Sequence, residues 1–598
     1  MAKQVIPHVE LEGGKELKNV SGLSIEQDLF GHHTFELSVP FEDLEDANEL
    51  FFHESHRNVI GKTIQFSFDP LLEDGSFDFK FKGIITELAL KNTSDMSNVF
   101  LLKGYGLTIL LEDSKLRRTF LQYGLGDIVN QVINPYPNNL LKRSVNPKSS
   151  EMLKYVVQYD ETNFEFLARL AAEYGEWCFY DGQQLVFGKP DDHKVDFKVD
   201  GMQTFAMSLR VLPAKFLYSR YDYVADETYQ SHSSDQQVSG LGQWGDFTLD
   251  ESEKMFSQES QLPLPKLVYG QSELDEVAKT QKAMEASRLV DFQGFGENPD
   301  VSVGTVISVK GTRITERGTS EENFGSYRVT HVSHSLDGSG NYSNTFRAVP
   351  DSVTYPPPNP SFKLPVGKPE LAKVTDNEDP DKLGRVKVEF MWPGDSKESD
   401  WLRVAHPYTG DGEGMLFVPE VDAQVLIGYE SNLAEYPFVM TSLYPKKDGV
   451  DYTQRDNVQK TIQTKGGNKI SLFDKDGEQT IELTNANKSD TRVLLSFADD
   501  GQITIETQGD IKISGKDIEI KATNDLKFEA QNNIELKATN EVKIEGSVKV
   551  EIKGAEINAE ANATAEIKAN GQLSLEGTQT SVKGNAMVEV KGGIITLN

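Results

Sequence analysis

The sequence predicts a mainly β protein built from barrels, with a mixed α/β segment and a repetitive C-terminal β-helix. Alternating apolar and polar residues recur early in the chain, for example at 23–30 and 33–39, and this period is typical of strands with one buried face. From residue 502 to 598 the chain repeats a unit of eight residues, with occasional slips to seven. Each unit holds two apolar residues one apart and closes on turn-forming residues such as Ala-Thr-Asn or Gly-Ser.

The first segment, 1–110, is predicted to be a small β-barrel. Its candidate strands are 23–30, 33–39, 63–68, 77–88 and 99–105. Asp74-Gly75 between two of them indicates a hairpin. A helical insert is predicted over 42–56.

The second segment, 111–204, is predicted to be mixed α/β. A helix is expected at 125–133, and a second helix should begin at Thr162 or Asn163 and end at Gly175. Its apolar residues recur at helical spacing, at Phe164, Leu167, Leu170 and Ala171. A hairpin should follow at 177–187.

Three further segments complete the chain before the repeats. Residues 205–352 predict a second barrel, 353–370 a Pro-rich linker and 371–446 an OB-like barrel. The strands of the OB-like barrel are expected within 384–392, 401–406, 414–421, 425–429 and 436–444.

The repeats predict a needle over 461–598. One strand with two apolar residues cannot bury them alone, and eight residues are too few to close a coil within one chain. Three identical chains wound together would form a triangular prism with the apolar residues inside. At the usual strand spacing roughly twelve units would make a rod about 60 Å long. A disordered charged tail would not hold Ile and Val in register, and a coiled coil needs spacings of three and four. The predicted needle core is Ile518, Ile520, Leu526, Phe528, Ile534, Leu536, Val542 and Ile544.

Composition limits the classes of function. The net charge of −32 argues against nucleic acid and against an anionic membrane surface as partners. A single cysteine, Cys178, excludes an intramolecular disulfide framework. No run of apolar residues reaches 18, and the first residues do not have the pattern of a signal peptide. We therefore expect assembly in a reducing cytoplasm and export by another machine.

Several motifs together carry a resemblance to a known family. One is the pattern Q-Y-x-E-T-x-x-x-F-x-x-R-L at 158–170, followed by an aromatic strand at 177–180. Others are Arg-Thr-Phe-Leu-Gln at 118–122 and Y-x-N-x-F-x-A-V-P, which closes the second barrel at 342–350. In this order of segments the chain resembles the VgrG family, the spike proteins of type VI secretion, and the related phage tail hubs. The two barrels would then be hub barrels.

The resemblance implies a mechanical function without cofactors. A homotrimer would dock on the ring of a hexameric, Hcp-like tube protein, among baseplate proteins, because two barrels in each of three chains give a six-fold-like base. Its needle would carry effectors and would seat a PAAR-type tip protein on Ile594, Ile595 and Leu597. Sheath contraction would drive the assembly through a target membrane, which places the protein outside the producing cell or in the target cell after export.

The chain departs from some relatives in two places. Some related phage proteins hold a lysozyme domain between the OB barrel and the needle, and residues 444–461 leave no room for one. Some VgrG proteins carry an effector domain after the needle, whereas this sequence stops at residue 598.

Candidate chemistry is weak elsewhere. His331 and His334 should point to opposite faces of a strand, without a third ligand nearby. Cys178 is expected to be a buried structural thiol, and Asp411 with Glu413 should lie in a solvated loop. His406 is the last histidine, so the needle lacks a His-x-His metal clasp. The sequence therefore predicts no catalytic, cofactor-binding or metal-binding residues, and no enzyme.

Three alternatives remain open. The chain could be the spike of an extracellular phage-tail-like injection particle, which the sequence does not separate from type VI secretion. A tail-associated cell-wall hydrolase would need an inserted catalytic domain with an acid pair. A trimeric adhesin would need a signal peptide and an anchor.

Overall fold

A computed structural model describes residues 4–45, 52–72, 75–92, 98–199, 202–315, 318–449 and 456–597. The chain divides into two compact units, Met1–Asp451 and Tyr452–Asn598. Within the described ranges no helix is long and apolar enough to cross a membrane.

The first barrel is built from seven antiparallel strands: β1 (Val5–Leu11), β2 (Lys15–Leu17), β3 (Gly22–Asp28), β4 (Thr34–Pro40), β5 (Thr63–Pro70), β6 (Lys80–Asn92) and β7 (Asn98–Gly106). They pair in the order β3-β4-β7-β6-β5-β1-β2. Alternate residues point inward as the sequence period requires; Phe35 and Leu37 of β4, for example, are buried.

The helical insert predicted over 42–56 lies partly outside the described residues. The structure has a 3-10 turn at Phe41–Asp43 and a short helix, α1 (Ser55–Val59). Residues 46–51 lie outside the described ranges, and so does Asp74 of the predicted hairpin. The Glu45 carboxylate accepts hydrogen bonds from the backbone N–H groups of His53, Glu54 and Ser55, so it satisfies donors just before and at the first residue of α1.

The mixed α/β segment has the two predicted helices, α2 (Leu125–Ile133) and α3 (Asn163–Tyr174). Its strands are β8 (Leu116–Gly124), β9 (Lys142–Asn146), β10 (Met152–Glu161), β11 (Cys178–Tyr180) and β12 (Gln184–Gly188). Strand β10 pairs antiparallel with β8, and β11 and β12 form the expected hairpin.

Helix α3 begins and ends where its sequence dictates. The Thr162 hydroxyl accepts from the Glu165 N–H at 3.1 Å, and the Glu165 carboxylate accepts from the Thr162 N–H at 2.9 Å, which is a capping box. Gly175 ends the helix with φ of +64°, a left-handed conformation that glycine adopts without strain. The prediction for this helix is confirmed in detail.

The second barrel starts slightly earlier than predicted and contains an insertion. Its strands are β13 (Lys194–Val199), β14 (Thr204–Leu209), then β18 (Val290–Gly296), β19 (Val306–Thr315), β20 (Gly318–Asp337) and β21 (Tyr342–Pro350). Between β14 and β18 lie a small sheet of β15 (Phe216–Asp222), β16 (Glu227–His232) and β17 (Ser260–Pro263), and two helices, α4 (Gly242–Met255) and α5 (Gln271–Ser287). The sequence predicted a barrel over the whole of 205–352, and this insertion was not predicted.

The two barrels share one continuous sheet of thirteen strands. Strand β20 pairs with β19 and β21 of its own barrel and, over His331–Asp337, with β3 of the first. A bulge between Val329 and His331 bends β20 at this seam. Each barrel keeps a core of its own, one around Phe66 and one around Phe292.

The linker and the OB barrel complete the first unit. The OB strands are β22 (Glu370–Asp376), β23 (Lys387–Phe390), β24 (Gln424–Tyr429) and β25 (Pro437–Leu443), in the order β23-β22-β24-β25. The linker is held against the hub at its start, because the Thr354 carbonyl accepts from the Lys148 ammonium at 2.7 Å and from the Trp177 indole at 3.3 Å.

The second unit has two parts. Five strands form an antiparallel meander: β26 (Gln459–Gln463), β27 (Asn468–Phe473), β28 (Thr480–Asn485), β29 (Lys488–Ser496) and β30 (Gln502–Glu506). Beyond it, residues 507–597 form no helix and no strand pairing within the single chain. The range predicted as needle therefore opens with a sheet of hairpins, which turns such as that at Gly477 permit (φ +71°).

Candidate functional site

Strand β10 joins the hub to the OB barrel because it is buried on both faces. Tyr155, Val157 and Tyr159 belong to the apolar core of the OB barrel, together with residues such as Val425. Val156 points the other way, into the core of the first hub barrel. The OB core is thus completed by a strand that precedes it by more than two hundred residues, and we call this contact the hub–OB joint.

Tyr159 is the centre of an aromatic cluster in the joint. Its ring meets Trp392 and Tyr429 edge-on, with centroids 5.9 Å apart in both cases. Its hydroxyl accepts from the Lys368 N–H at 3.1 Å. The Arg117 guanidinium lies 4.4 Å from the same ring, so Tyr159 is held by packing, by a hydrogen bond and by a cation–π contact.

A buried arginine, Arg169 of α3, gathers three carboxylates at the edge of this joint. Its guanidinium donates to Glu161 at 2.7 Å, to Glu173 at 3.0 Å and to Glu435 of the OB barrel at 3.2 Å. It also donates to the Val157 carbonyl at 2.5 Å. The Arg169 side chain is only 2% exposed, so water screens these charges little.

The charges in this cluster do not cancel without a further cation. Burial, followed by repulsion from Glu173, raises the pKa of Glu435 to about 7. Lys266 also faces the carboxylates, and burial lowers the pKa of its ammonium. Three acids around one guanidinium make the joint sensitive to the protonation of Glu435.

The sequence candidates for chemistry are not brought together. His331 is half-exposed beside Asp28, whereas His334 is buried and shares a 2.6 Å hydrogen bond with the Tyr342 hydroxyl. Burial lowers the pKa of His334 to about 3, which keeps the ring neutral. Among the described residues no cluster of three or more His, Cys, Asp or Glu side chains has a geometry for a metal ion.

Two other candidates have structural surroundings. Cys178 packs against the core of the first barrel, and burial raises the pKa of its thiol to about 12. Asp411 and Glu413 are exposed in their loop, where the Tyr408 hydroxyl donates to Glu413 at 3.0 Å.

The predicted needle residues are all exposed in the single chain. From residue 511 to 597 every side chain is exposed. The predicted core residues Ile518, Ile520, Leu526, Phe528, Ile534, Leu536, Val542 and Ile544 have between 51% and 72% of their surface in water. Of the predicted tip residues, Ile594 and Leu597 are about nine-tenths exposed and Ile595 half exposed. Their burial in an assembly stays a prediction.

The joint was not predicted, although the pattern at 158–170 within it is part of the resemblance to a known family. The pattern at 158–170 combines the Gln158 side chain, which bonds Arg118 and the Glu161 carbonyl, with Tyr159, the Thr162 cap and Arg169. The run Tyr-Val-Val-Gln-Tyr at 155–159 does not alternate between apolar and polar residues, which is the signal of a strand covered on both faces.

Two family models match separate parts of the chain. The model described as phage tail baseplate hub matches residues 54–339. The model described as type VI secretion system/phage-baseplate injector OB domain matches residues 370–444. The first match runs from before β5 of the first barrel to the end of β20 of the second, and the second match spans the OB strands β22 to β25, in the same order along the chain.

Curated relatives are type VI secretion spike proteins. VgrG4b of Pseudomonas aeruginosa is 32% identical over 155 residues, which are 23% of this chain and 19% of that protein. VgrG3 of Vibrio cholerae is 28% identical over 24% of this chain and 16% of that protein. These alignments span less than a fifth of the two relatives. VgrG1a of Pseudomonas aeruginosa aligns at 20% identity over 76% of this chain and 75% of that protein.

Solved structures agree on the fold. The half-lidded form of the Francisella PdpA–VgrG complex matches with a TM-score of 0.55 at 9% identity, over 84% of this chain and 88% of that one. The lidless form of a PdpA–VgrG complex matches with a TM-score of 0.54 at 9% identity, over 85% and 99%. The hub model, the OB-domain model and the sequence relatives agree, and together they support a VgrG-type spike protein of type VI secretion.

Proposed function

We propose that the protein is the homotrimeric structural spike of a contractile injection system of the type VI secretion kind. The hub would dock on a hexameric, Hcp-like tube protein, and the needle would lead the assembly through a target membrane when the sheath contracts. Its function is mechanical: it converts six-fold to three-fold symmetry, transmits force and displays cargo.

The large accessible surface of the single chain is the observation that best supports a trimer. It exposes 38108 Å² of accessible surface. A compact monomer of 66.7 kDa would expose roughly 21,000 Å². Much of the excess belongs to residues 511–597, whose regularly spaced apolar side chains have no cover. Winding three chains together covers them, because each chain supplies one face of the prism at each level.

The hub supports docking on a six-fold ring. Two barrels with separate cores share one sheet through β3 and β20, so each chain carries two similar bodies at a fixed spacing. Three chains then present six barrels to the ring. The hub–OB joint would pass the push from this base to the needle, since both domains share the β10 strand.

Further partners follow from the exposed tip and from the relatives. Ile594, Ile595 and Leu597, repeated three times, offer an apolar platform for a PAAR-type tip protein. Baseplate proteins would surround the hub, and a VgrG protein solved in complex with PdpA supports effector carriage. The spike would assemble in the bacterial cytoplasm and leave it through the injection machine, to the outside or into a target cell.

The spike itself would have no enzymatic activity and no cofactor. Its relatives are named as spike proteins, and the titratable clusters of the described residues are either buried structural networks or exposed loops. Any enzymatic activity delivered by the assembly would belong to its cargo.

Native mass measurement tests the proposal. The full chain should have a mass of about 200 kDa, three times 66.7 kDa. A variant truncated after Gly466 should lose or weaken the trimer, because it lacks most of the five-stranded sheet and all of the repeats. A full-length monomer with a protease-sensitive C-terminal segment would refute the proposed spike. The repeats would then be a disordered tail.

A further inference from the structure

One face of the five-stranded sheet in the second unit is apolar across every strand. Directly opposed residues share a face, and the register aligns two rows over this face. The first row is Ile462, Ile470, Leu483, Val493 and Ile505, and the second is Leu472, Ile481, Leu495 and Ile503. We call these nine residues the apolar sheet face.

None of the nine residues is buried in the single chain. Leu483 at the centre is 44% exposed, and Ile503 on the last strand is 71% exposed. The opposite face is more polar and has internal partners: Arg492 pairs with Glu506 at 2.6 Å and approaches Glu482 at 3.7 Å. The sheet therefore has one face suited to water and one that requires a cover.

The apolar sheet face runs on into the repeats. Ile503 and Ile505 are followed eight residues later by Ile511 and Ile513, with the same spacing of two. A groove of about 850 Å³ lined in part by Leu483, Ile505 and Ile511 continues from the first row toward the repeats. Whatever covers the apolar residues of the repeats is therefore positioned to cover the sheet face as well.

The repeats fix the relative register of three chains only weakly. A chain that slips by one eight-residue unit still places most apolar residues inside the prism and most charged residues outside, and only the occasional seven-residue units oppose the slip. The sheet is different, since its strands have unequal lengths and its turns differ. A device that sets register must be non-repetitive, and in the described part of the second unit the sheet is that part.

We propose that the apolar sheet face packs against the same face of two further copies of this chain and sets the register in which the repeats wind. The inference rests on the proposed trimeric spike and adds to it a clamp at the base of the needle. The occupant is a copy of the chain, because the face is apolar and continues along the chain into the repeats, which need the same copies.

Two substitutions in the full-length chain test the clamp. Leu483→Glu places a charge at the centre of the apolar sheet face. Ile503→Glu does so at the most exposed of the nine positions. In a free chain the new charge there remains in water and leaves the sheet itself intact. Thr484→Glu is the matched control, since it adds the same charge one residue away on the opposite face.

Two readouts apply: the native mass, and the masses of the chains after protease trimming of exposed ends. Wild type and Thr484→Glu should be trimers that trim to one C-terminal product. In Leu483→Glu and Ile503→Glu, the fraction of protein found as trimer should fall at least tenfold. Any trimers that remain should give trimmed chains that form a ladder with steps of eight residues, because slipped chains overhang.

Other outcomes overturn the clamp in distinguishable ways. If both face variants remain trimers with one product, or if Thr484→Glu fails as they do, the apolar sheet face does not set register. If the wild type itself is a monomer, the proposed spike fails first, and the clamp fails with it.

Discussion

Replacing Glu435 by glutamine should stabilise the hub–OB joint at neutral and alkaline pH. Glu435 shares the Arg169 guanidinium with Glu161 and Glu173, and the buried site disfavours its charge. Glutamine has the shape of the protonated acid and keeps an oxygen that can accept from Arg169. The other two carboxylates still neutralise the guanidinium, so the substitution removes excess negative charge.

The magnitude follows from the pKa of Glu435. Its rise from an ordinary 4.5 to about 7 means that the ionised side chain costs the folded state about 3 kcal/mol. An acid whose folded pKa is raised lowers stability only where it is ionised. The cost is therefore absent below about pH 4.5, grows between pH 4.5 and 7, and is complete above pH 7.

The assay is urea unfolding of the full chain at pH 5 and pH 8. Trp392 lies in the joint against Tyr159, so tryptophan fluorescence reports on its opening. The difference in stability between Glu435→Gln and wild type should be small at pH 5 and approach about 3 kcal/mol in favour of the variant at pH 8. Glu430→Gln, in the half-exposed pair with Arg403 of the same domain, should change stability little at either pH.

The reasoning is refuted if the Glu435→Gln difference is equal at the two pH values. It is also refuted if the variant is destabilised at pH 8, because Glu435 would then contribute more as a partner of Arg169 than it costs as a buried charge.

Four further predictions address single features. Tyr159→Ala should lower the free energy of unfolding by about 3–5 kcal/mol in the same urea assay, because it leaves a cavity at the aromatic centre of the joint. Thr162→Ala should lower the free energy of unfolding by about 1 kcal/mol, because it removes the α3 cap, and Thr162→Ser should keep most of that stability. The Cys178 thiol should react with a disulfide reagent at pH 8 about a thousandfold more slowly than free cysteine, measured by absorbance; a fast reaction would contradict its burial. Ile534→Asp should make the needle protease-sensitive in a gel assay, whereas the neighbouring Glu535→Asp should not.

Local signals in the sequence predicted what local physics decides. The α3 boundaries follow from Thr162 and Gly175 alone, and the structure confirms them. The alternating strands of the first barrel, the β11–β12 hairpin and three of the five predicted OB strands are of the same kind. The predicted strands at 401–406 and 414–421 form only isolated bridges, and β22 was not predicted. The eight-residue repeat was visible without any structure, although the sheet that precedes it was not separated from it.

Two kinds of feature were not predicted: contacts between residues far apart in the chain, and a helix whose sequence pattern was present. Arg169 meets Glu435 across 266 positions of chain, and no period or spacing encodes such a contact. Helix α5 was missed although its run Glu-Leu-Asp-Glu-Val-Ala-Lys has strong helix formers, because the whole segment was assigned to a barrel. The double burial of β10 is reflected in the run Tyr-Val-Val-Gln-Tyr at 155–159, which does not alternate, but no strand was predicted there.

The shared strand β10 changes where this protein can be cut and rejoined. Chain order places a convenient border at the Pro-rich stretch 355–360, and an engineer exchanging needles between spikes would join two parents there. Such a chimera would take the OB barrel away from Tyr155, Val157 and Tyr159, which fill its interior. Exchanges should succeed when the graft brings its own matching β10 or when the joint is made beyond residue 445, after the last OB strand. The exchangeable part is therefore the needle, and the OB barrel travels with its hub.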